Sequence, residues 1–163
     1  MKHFSMAAFT VFLLMLALPA VATAPIFVEN PFVAFTVASG PEACSFPVYL
    51  APEPGRPNSG KVIIFADGST IGSGPVFVTA TNVNTSKSIN LNISGPGGFS
   101  VTNNSFTNYG PTLGFEFPPN VLPANLPPFF FSHGHLVTQF DNLGNITSVT
   151  FTGTAQNVCE LLE

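Results

Sequence analysis

Hydrophobic and polar positions alternate most cleanly between Ser88 and Ser94. Ile89, Leu91 and Ile93 are apolar, and Asn90, Asn92 and Ser94 are polar. A period of two places one set on a buried face and the other in water, which predicts a half-buried strand. Upstream, Val62 to Ala66 is apolar throughout, and a second run rich in Val, Phe and Thr spans Val76 to Thr81. Asp67-Gly68 between them is a turn signal, because tight hairpin turns need positive φ. Ser69 to Pro75 makes that connection longer than a two-residue turn. The stretch from Lys61 to Gly98 therefore reads as three consecutive antiparallel strands. Gly95-Pro96-Gly97-Gly98 reads as its stop, since proline donates nothing to a ladder and glycine has no side chain to pack.

The same reading extends along the chain. Ser45 to Leu50 is an earlier strand, followed by a loop from Ala51 to Gly60 (APEPGRPNSG). Phe99 to Thr102 and Ser105 to Tyr109 form a hairpin around Asn103-Asn104. Gly110-Pro111 is expected to break the chain before a short strand from Thr112 to Phe117. Pro118 to Pro128 (PPNVLPANLPP) has polyproline character and no hydrophobic period. Leu136 to Phe140 and Ile146 to Gly153 pair through Asp141-Asn142-Leu143-Gly144, where the glycine supplies a left-handed position. Ala155 to Glu163 reads as one helical turn or an irregular tail. The expected class is all-β, an antiparallel meander of about eight or nine strands. An up-and-down barrel is the preferred architecture, because closure removes exposed edges, and a two-sheet sandwich is the alternative.

The N-terminus changes the charge and the compartment. Lys2 and His3 precede an uncharged apolar run from Met6 to Leu18, then small residues through Ala24. A basic start, an apolar middle and an A-x-A exit describe a secretory signal peptide at residues 1–22, cleaved after Ala22. The run is too short to span a bilayer as a helix. Residues 23–43 then form an N-terminal arm that reads as an edge strand, a plug or a loose arm, and residues 44–163 form one barrel-like domain. Without Lys2 the strong bases are Arg56, Lys61 and Lys87, against eight acids, a net charge of −5. No basic patch is left to track a phosphate backbone, so nucleic acid is not an expected partner. Cys44 and Cys159 are the only cysteines. Export to an oxidising compartment predicts that they pair with each other.

Several stretches carry a resemblance. Cys44-Ser-Phe-Pro-Val, Val62-Ile-Ile-Phe-Ala-Asp-Gly, Thr81-Asn, Lys87-Ser-Ile-Asn-Leu-Asn-Ile-Ser-Gly-Pro-Gly, Gly134 to Gly144 and Cys159 together resemble a group of small secreted all-β proteins from bacteria and fungi. The resemblance covers Cys44 to Cys159. It implies export, the cystine and an all-β fold, and transfers no catalytic residue.

Candidate chemistry is sparse. His133 and His135, at i and i+2, share one side of a strand as two metal ligands would. A third ligand would have to be Glu116, Asp141 or Asp67, and no motif places one, so the pair reads as surface histidines and no metal or other cofactor is expected. No G-x-S-x-G elbow and no C-x-x-C pair occurs. Glu116, between Phe115 and Phe117, is the one candidate acid for an extracellular hydrolase or isomerase, which would need a second carboxylate. Four N-x-S/T sequons, at Asn84, Asn92, Asn103 and Asn145, are glycan acceptors if the source is eukaryotic.

The aromatic residues point elsewhere. Phe115, Phe117 and Phe129 to Phe131 flank the proline loop. Three consecutive phenylalanines cannot all face one side of a strand, so at least one is exposed or covered by the loop. The expectation is a secreted, non-catalytic binding module. It would take an apolar small molecule, or the apolar surface of a protein or cell-surface partner, at Phe115, Phe117, Phe129, Phe130 and Phe131, with Tyr109 or Glu116 as a polar anchor. A structural cell-surface protein with a filled barrel is the remaining alternative.

Overall fold

The computed structural model describes residues 23–163, so the expected signal segment 1–22 lies outside the described residues. Eleven strands and one short helix follow in order. They are β1 (Ile26–Glu29), β2 (Phe35–Val37), β3 (Val48–Pro52), β4 (Lys61–Ile64), β5 (Thr70–Ser73), β6 (Phe77–Asn82), β7 (Ser88–Asn92), β8 (Gly97–Ser100), β9 (Ser105–Gly114), β10 (Phe130–Phe140), β11 (Ile146–Asn157) and α1 (Val158–Leu162).

The strands form two antiparallel sheets, one in the order β1-β4-β5-β8-β9-β10-β11 and one in the order β2-β3-β6-β7. The class is all-β as expected, but the sheets do not close into a barrel, and the arrangement is sandwich-like. The physical reason is that the chain keeps changing sheet. A closed meander pairs each strand with the next, whereas here β3 pairs with β6 and β5 pairs with β8. The ribbon β3–β6 bends over into β4–β5, and its ladder resumes after residues 54–57 turn out of it: Glu53 N–H donates to Phe77 O (2.9 Å) before the turn and Ser59 N–H to Pro75 O (3.1 Å) after it. Gly74 makes the corner at φ 134, where an added Cβ would lie 2.6 Å from Ser59 O. Only glycine tolerates that conformation and that approach. Residues 23–43 supply an edge strand to each sheet, β1 to the larger and β2 to the smaller.

The first core lies on one face of the smaller sheet. Val48, Leu50, Val78, Ala80 and Leu91 alternate inward, and Phe129, Val158 and Leu162 cover them. The expected cystine is present, with Cys44 and Cys159 Cα atoms 5.3 Å apart. It fastens α1 to the β2–β3 connection beside this core. Asn157 caps α1 by accepting from Cys159 N–H (3.0 Å). Buried Asn82 ties the other end, its Nδ2 donating to Leu162 O (3.2 Å).

The second core is built by the proline loop. Leu126 packs with Phe130, Leu136 and Val149, with Val121 and Leu122 around them. Residues 118–128 therefore cover one face of β10–β11. Val121 O also accepts from Val149 N–H (3.2 Å).

Three expected boundaries move. Gly110-Pro111 does not break β9. In an antiparallel ladder a residue's N–H and C=O point to the same side. The Pro111 carbonyl accepts from Gly95 N–H (3.0 Å), so its missing donor falls beyond the end of the β8–β9 register. Likewise β8 begins at Gly97, inside the segment read as a stop, and β10 begins at Phe130 and not at Leu136.

Candidate functional site

The phenylalanine cluster is split between the two cores. Side chains alternate across a strand, and Phe129 and Phe130 obey this rule, each fully buried on its own side. Phe129 packs on Phe115 (5.3 Å between ring centroids) in the first core, and Phe130 stacks on Phe117 (5.9 Å) in the second. Phe131 is half-buried against the first core, its ring edge-on to His133 (4.9 Å). The structure does not bring these five rings to one mouth. The chain has no tryptophan, and phenylalanine fills both cores.

Glu116 is exposed and stands at φ 59. Its N–H donates to Glu42 O (2.9 Å), and both residues border a surface depression with Gly40 and Pro41. His133 and His135 lie on the exposed side of β10. Among the described residues, no group of three or more His, Cys, Asp or Glu converges as metal ligands. The sequon asparagines Asn84, Asn92, Asn103 and Asn145 are all exposed.

The structure brings Tyr109 to a different place. β8 carries Gly97 and Gly98, and it joins β5 through a single register pair that is itself glycine on both strands, Gly72↔Gly97. The sheet is therefore bare along this seam. On the face that Gly98 shares with Thr107 lies a trough of about 350 Å³, and at its floor β5 comes so close that a Cβ on Gly98 would run into Thr70 O. Phe65 and Ile71 line it from the β4–β5 hairpin, and Pro96, Phe99, Thr107 and Tyr109 from the other side. Ile71 is 49% exposed and Tyr109 is 54% exposed. Among the described residues, none covers these apolar surfaces on their open side.

The trough is rigid on its far wall and polar only at its rim. Tyr109 and His135 are register partners, and their rings stack 4.5 Å apart at 9°. That stack leaves the other face of the Tyr109 ring turned to the trough. Among the described residues, no charged one lines it. Its hydroxyls hold the seam together: Thr70 Oγ1 accepts from Phe99 N–H (3.2 Å) and Ser69 Oγ from Val101 N–H (3.1 Å). The arrangement suits an apolar guest with at most one or two polar groups, and it offers no nucleophile–base pair.

Of the expected site residues, only Tyr109 belongs to this trough. Phe65, Ile71, Pro96 and Phe99 are visible as apolar residues in the sequence, but Gly97-Gly98 carries the signal. A glycine pair within a strand marks a place where a ligand or another backbone comes close. No protein-family model, curated protein or solved structure matches the chain.

Proposed function

We propose that the protein is a secreted, non-catalytic binding module that takes an apolar small molecule in the trough between Ile71 and Tyr109. The observation that carries this reading is the exposed apolar trough over Gly97-Gly98, with a volume in the range of ligand sites and no charged lining. The cystine and the signal-like sequence of residues 1–22 support export. The four exposed sequons would then carry glycans in a eukaryotic source.

A titration with the neutral apolar dye Nile red tests the reading. Wild type is expected to bind the dye saturably at one site. Ile71→Ser and Tyr109→Ser, both changes at exposed positions, are expected to weaken binding about five- to tenfold each, the effect of losing one apolar contact surface. Uptake that never saturates, or that neither variant alters, would remove the trough as a site.

A second reading is favoured by one observation, that Glu42 and Glu116 border one depression. A hydrolase or isomerase would use them as acid and base. Turnover of a glycan or ester substrate abolished by Glu116→Gln would establish it in place of the binding module.

A further inference from the structure

We propose that the corner between the two sheets is a second binding site, which takes the ring of one neutral sugar. This site is independent of the trough. Neighbouring residues of a strand point to opposite faces, so the trough lies on the face that Gly98 shares with Thr107, and the corner cavity on the face that Gly97 shares with Asn108. Four connections cross between the sheets around it: β1 to β2 at Asn30, β3 to β4 at Gly60, β5 to β6 at Gly74 and β7 to β8 at Gly95. They are tied in pairs, Asn30 N–H to Gly60 O (2.7 Å) and Ile93 N–H to Val76 O (2.9 Å). Past Val76 and Ile93 the second pair parts. Gly95 turns its N–H to Pro111 O (3.0 Å), and β5 meets β8 in register at Gly72↔Gly97. The gap between is a cavity of about 250 Å³.

Gly72 marks that gap as a site. At Gly60, Gly74 and Gly95 a Cβ would run into backbone, at Asn30 O, Ser59 O and Pro111 O, so the corner itself demands glycine there. Gly72 has no such reason. A Cβ on it would meet nothing nearer than 3.6 Å, and its φ is not positive. Glycine weakens a strand interior, and one that no neighbour requires marks a place where a ligand comes close. Register and alternation put Val62, Thr70, Phe106 and Asn108 on the same face as Gly72. The Asn108 amide lies over Gly97, its Nδ2 3.1 Å from where a Cβ would stand, and it has no hydrogen-bond partner among the described residues. Thr70 Oγ1 accepts from Phe99 N–H, and its own proton is free to donate. Val62, Val76, Ile93 and Phe106 make the rest of this lining apolar. A sugar ring has the matching surface, with hydroxyls at its rim for an amide and a hydroxyl, and C–H faces for aliphatic and aromatic side chains. The volume falls just below that of drug-sized ligand sites, which suits one ring and not a chain. Among the described residues Lys61 is the one charged residue in the lining, and Glu29 stands opposite it in register, so no net charge draws an ion in.

The test is a ¹H–¹⁵N NMR titration of the mature, cystine-intact protein with D-glucose, D-galactose and D-mannose, and with their methyl glycosides. Each is taken to about 50 mM, enough to saturate a site with a millimolar Kd. At least one sugar is expected to shift the Gly72 and Gly97 amides and the Asn108 side-chain amide saturably. Binding of a methyl glycoside identifies the end of a glycan chain as the source, and binding of the free sugar alone a free monosaccharide; both support the ring. Asn108→Ala is expected to weaken binding at least tenfold, since it removes the unpartnered amide. Gly72→Val is expected to abolish binding while keeping Tm at or above that of wild type, because a β-branched residue suits a strand. Gly72 does not line the trough, so this variant should still bind Nile red. No shift with any of the sugars overturns the proposal. So does binding that survives both variants, shifts centred on Ile71 and Tyr109, or equal shifts with sodium acetate, which would make Lys61 an anion site.

Discussion

Asp67 and Asp141 do the same work at two hairpin tips. Asp141 Oδ1 accepts from Leu143 N–H (2.8 Å) and Asn145 N–H (2.9 Å), and Oδ2 accepts from Asn145 Nδ2 (2.8 Å). Gly144 closes that turn at φ 85. Asp67 accepts from Ser69 N–H (2.9 Å) and Ser69 Oγ (3.0 Å), beside Gly68, also at φ 85. Only the ionised carboxylate accepts all these bonds, so both groups titrate below the ordinary value of 3.8. The Ser69 backbone bond is the main cause at Asp67, and the Asn145 side chain at Asp141. A pKa depressed in the folded state stabilises the fold above the unfolded value, and that contribution is lost as pH falls through the folded value. These two groups therefore leave stability flat from pH 7 to about 5 and erode it below about 3.9, the unfolded Asp pKa. The double variant Asp67→Asn/Asp141→Asn should lose less Tm than wild type between pH 5 and pH 2. Parallel Tm profiles for the two proteins would show that neither turn carries acid sensitivity.

The proline loop shows what an element does once its partners are known. Residues 118–128 look mobile as sequence, yet Leu126 is buried and packs on Phe130, Leu136 and Val149. Leu126→Ala should cost about 2–5 kcal/mol in urea unfolding, the usual range for a buried leucine, and open the loop to proteolysis. Leu143→Ala, at an 88% exposed position, should change stability by at most ~0.5 kcal/mol. A Leu126→Ala variant as stable as Leu143→Ala would mean that the loop only rests on the sheet. Local pattern was legible where one face is wet and the other dry, as in Ile89 to Ile93, which lies almost wholly within β7. It failed where a neighbour decides. Pro111 continues β9 because its missing donor has no ladder to serve, and Gly97 starts β8 because Gly72 and Asn108 flank it in register. The trough was illegible for the same reason. Tyr109 could be picked out as a polar-tipped aromatic, but Ile71 reaches it only through the β5–β8 seam, a pairing across 25 residues. The choice of sandwich over barrel also rests on such distant pairings, β3 with β6 and β5 with β8.

At the scale of the whole molecule, one cross-link and one short helix close the first core. Val158 and Leu162 are fully buried against the smaller sheet, but α1 has five residues, too few to hold helical structure unaided. Its position depends on the Asn82–Leu162 hydrogen bond and on the cystine, which spans a sequence separation of 115. Cross-linking so long a loop restricts the unfolded chain by about 5 kcal/mol in the chain-entropy model, and delivered values are commonly ~2–4 kcal/mol. Domains have only about 5–15 kcal/mol in total, so the cystine accounts for a large share. At roughly 2–4 °C per kcal/mol for a chain of this size, reduction should lower Tm by about 5–15 °C. The loss should also have an address. Once the tether is cut, α1 is free to leave, and Val48, Val78 and Phe129 are left facing water. Hydrogen exchange of the reduced protein should therefore quicken first in α1 and in β2 and β3, while β9 and β10, at the centre of a long ladder, stay protected. A Tm within about 2 °C of the oxidised protein, or exchange that quickens evenly over both sheets, would show that packing alone holds the C-terminus.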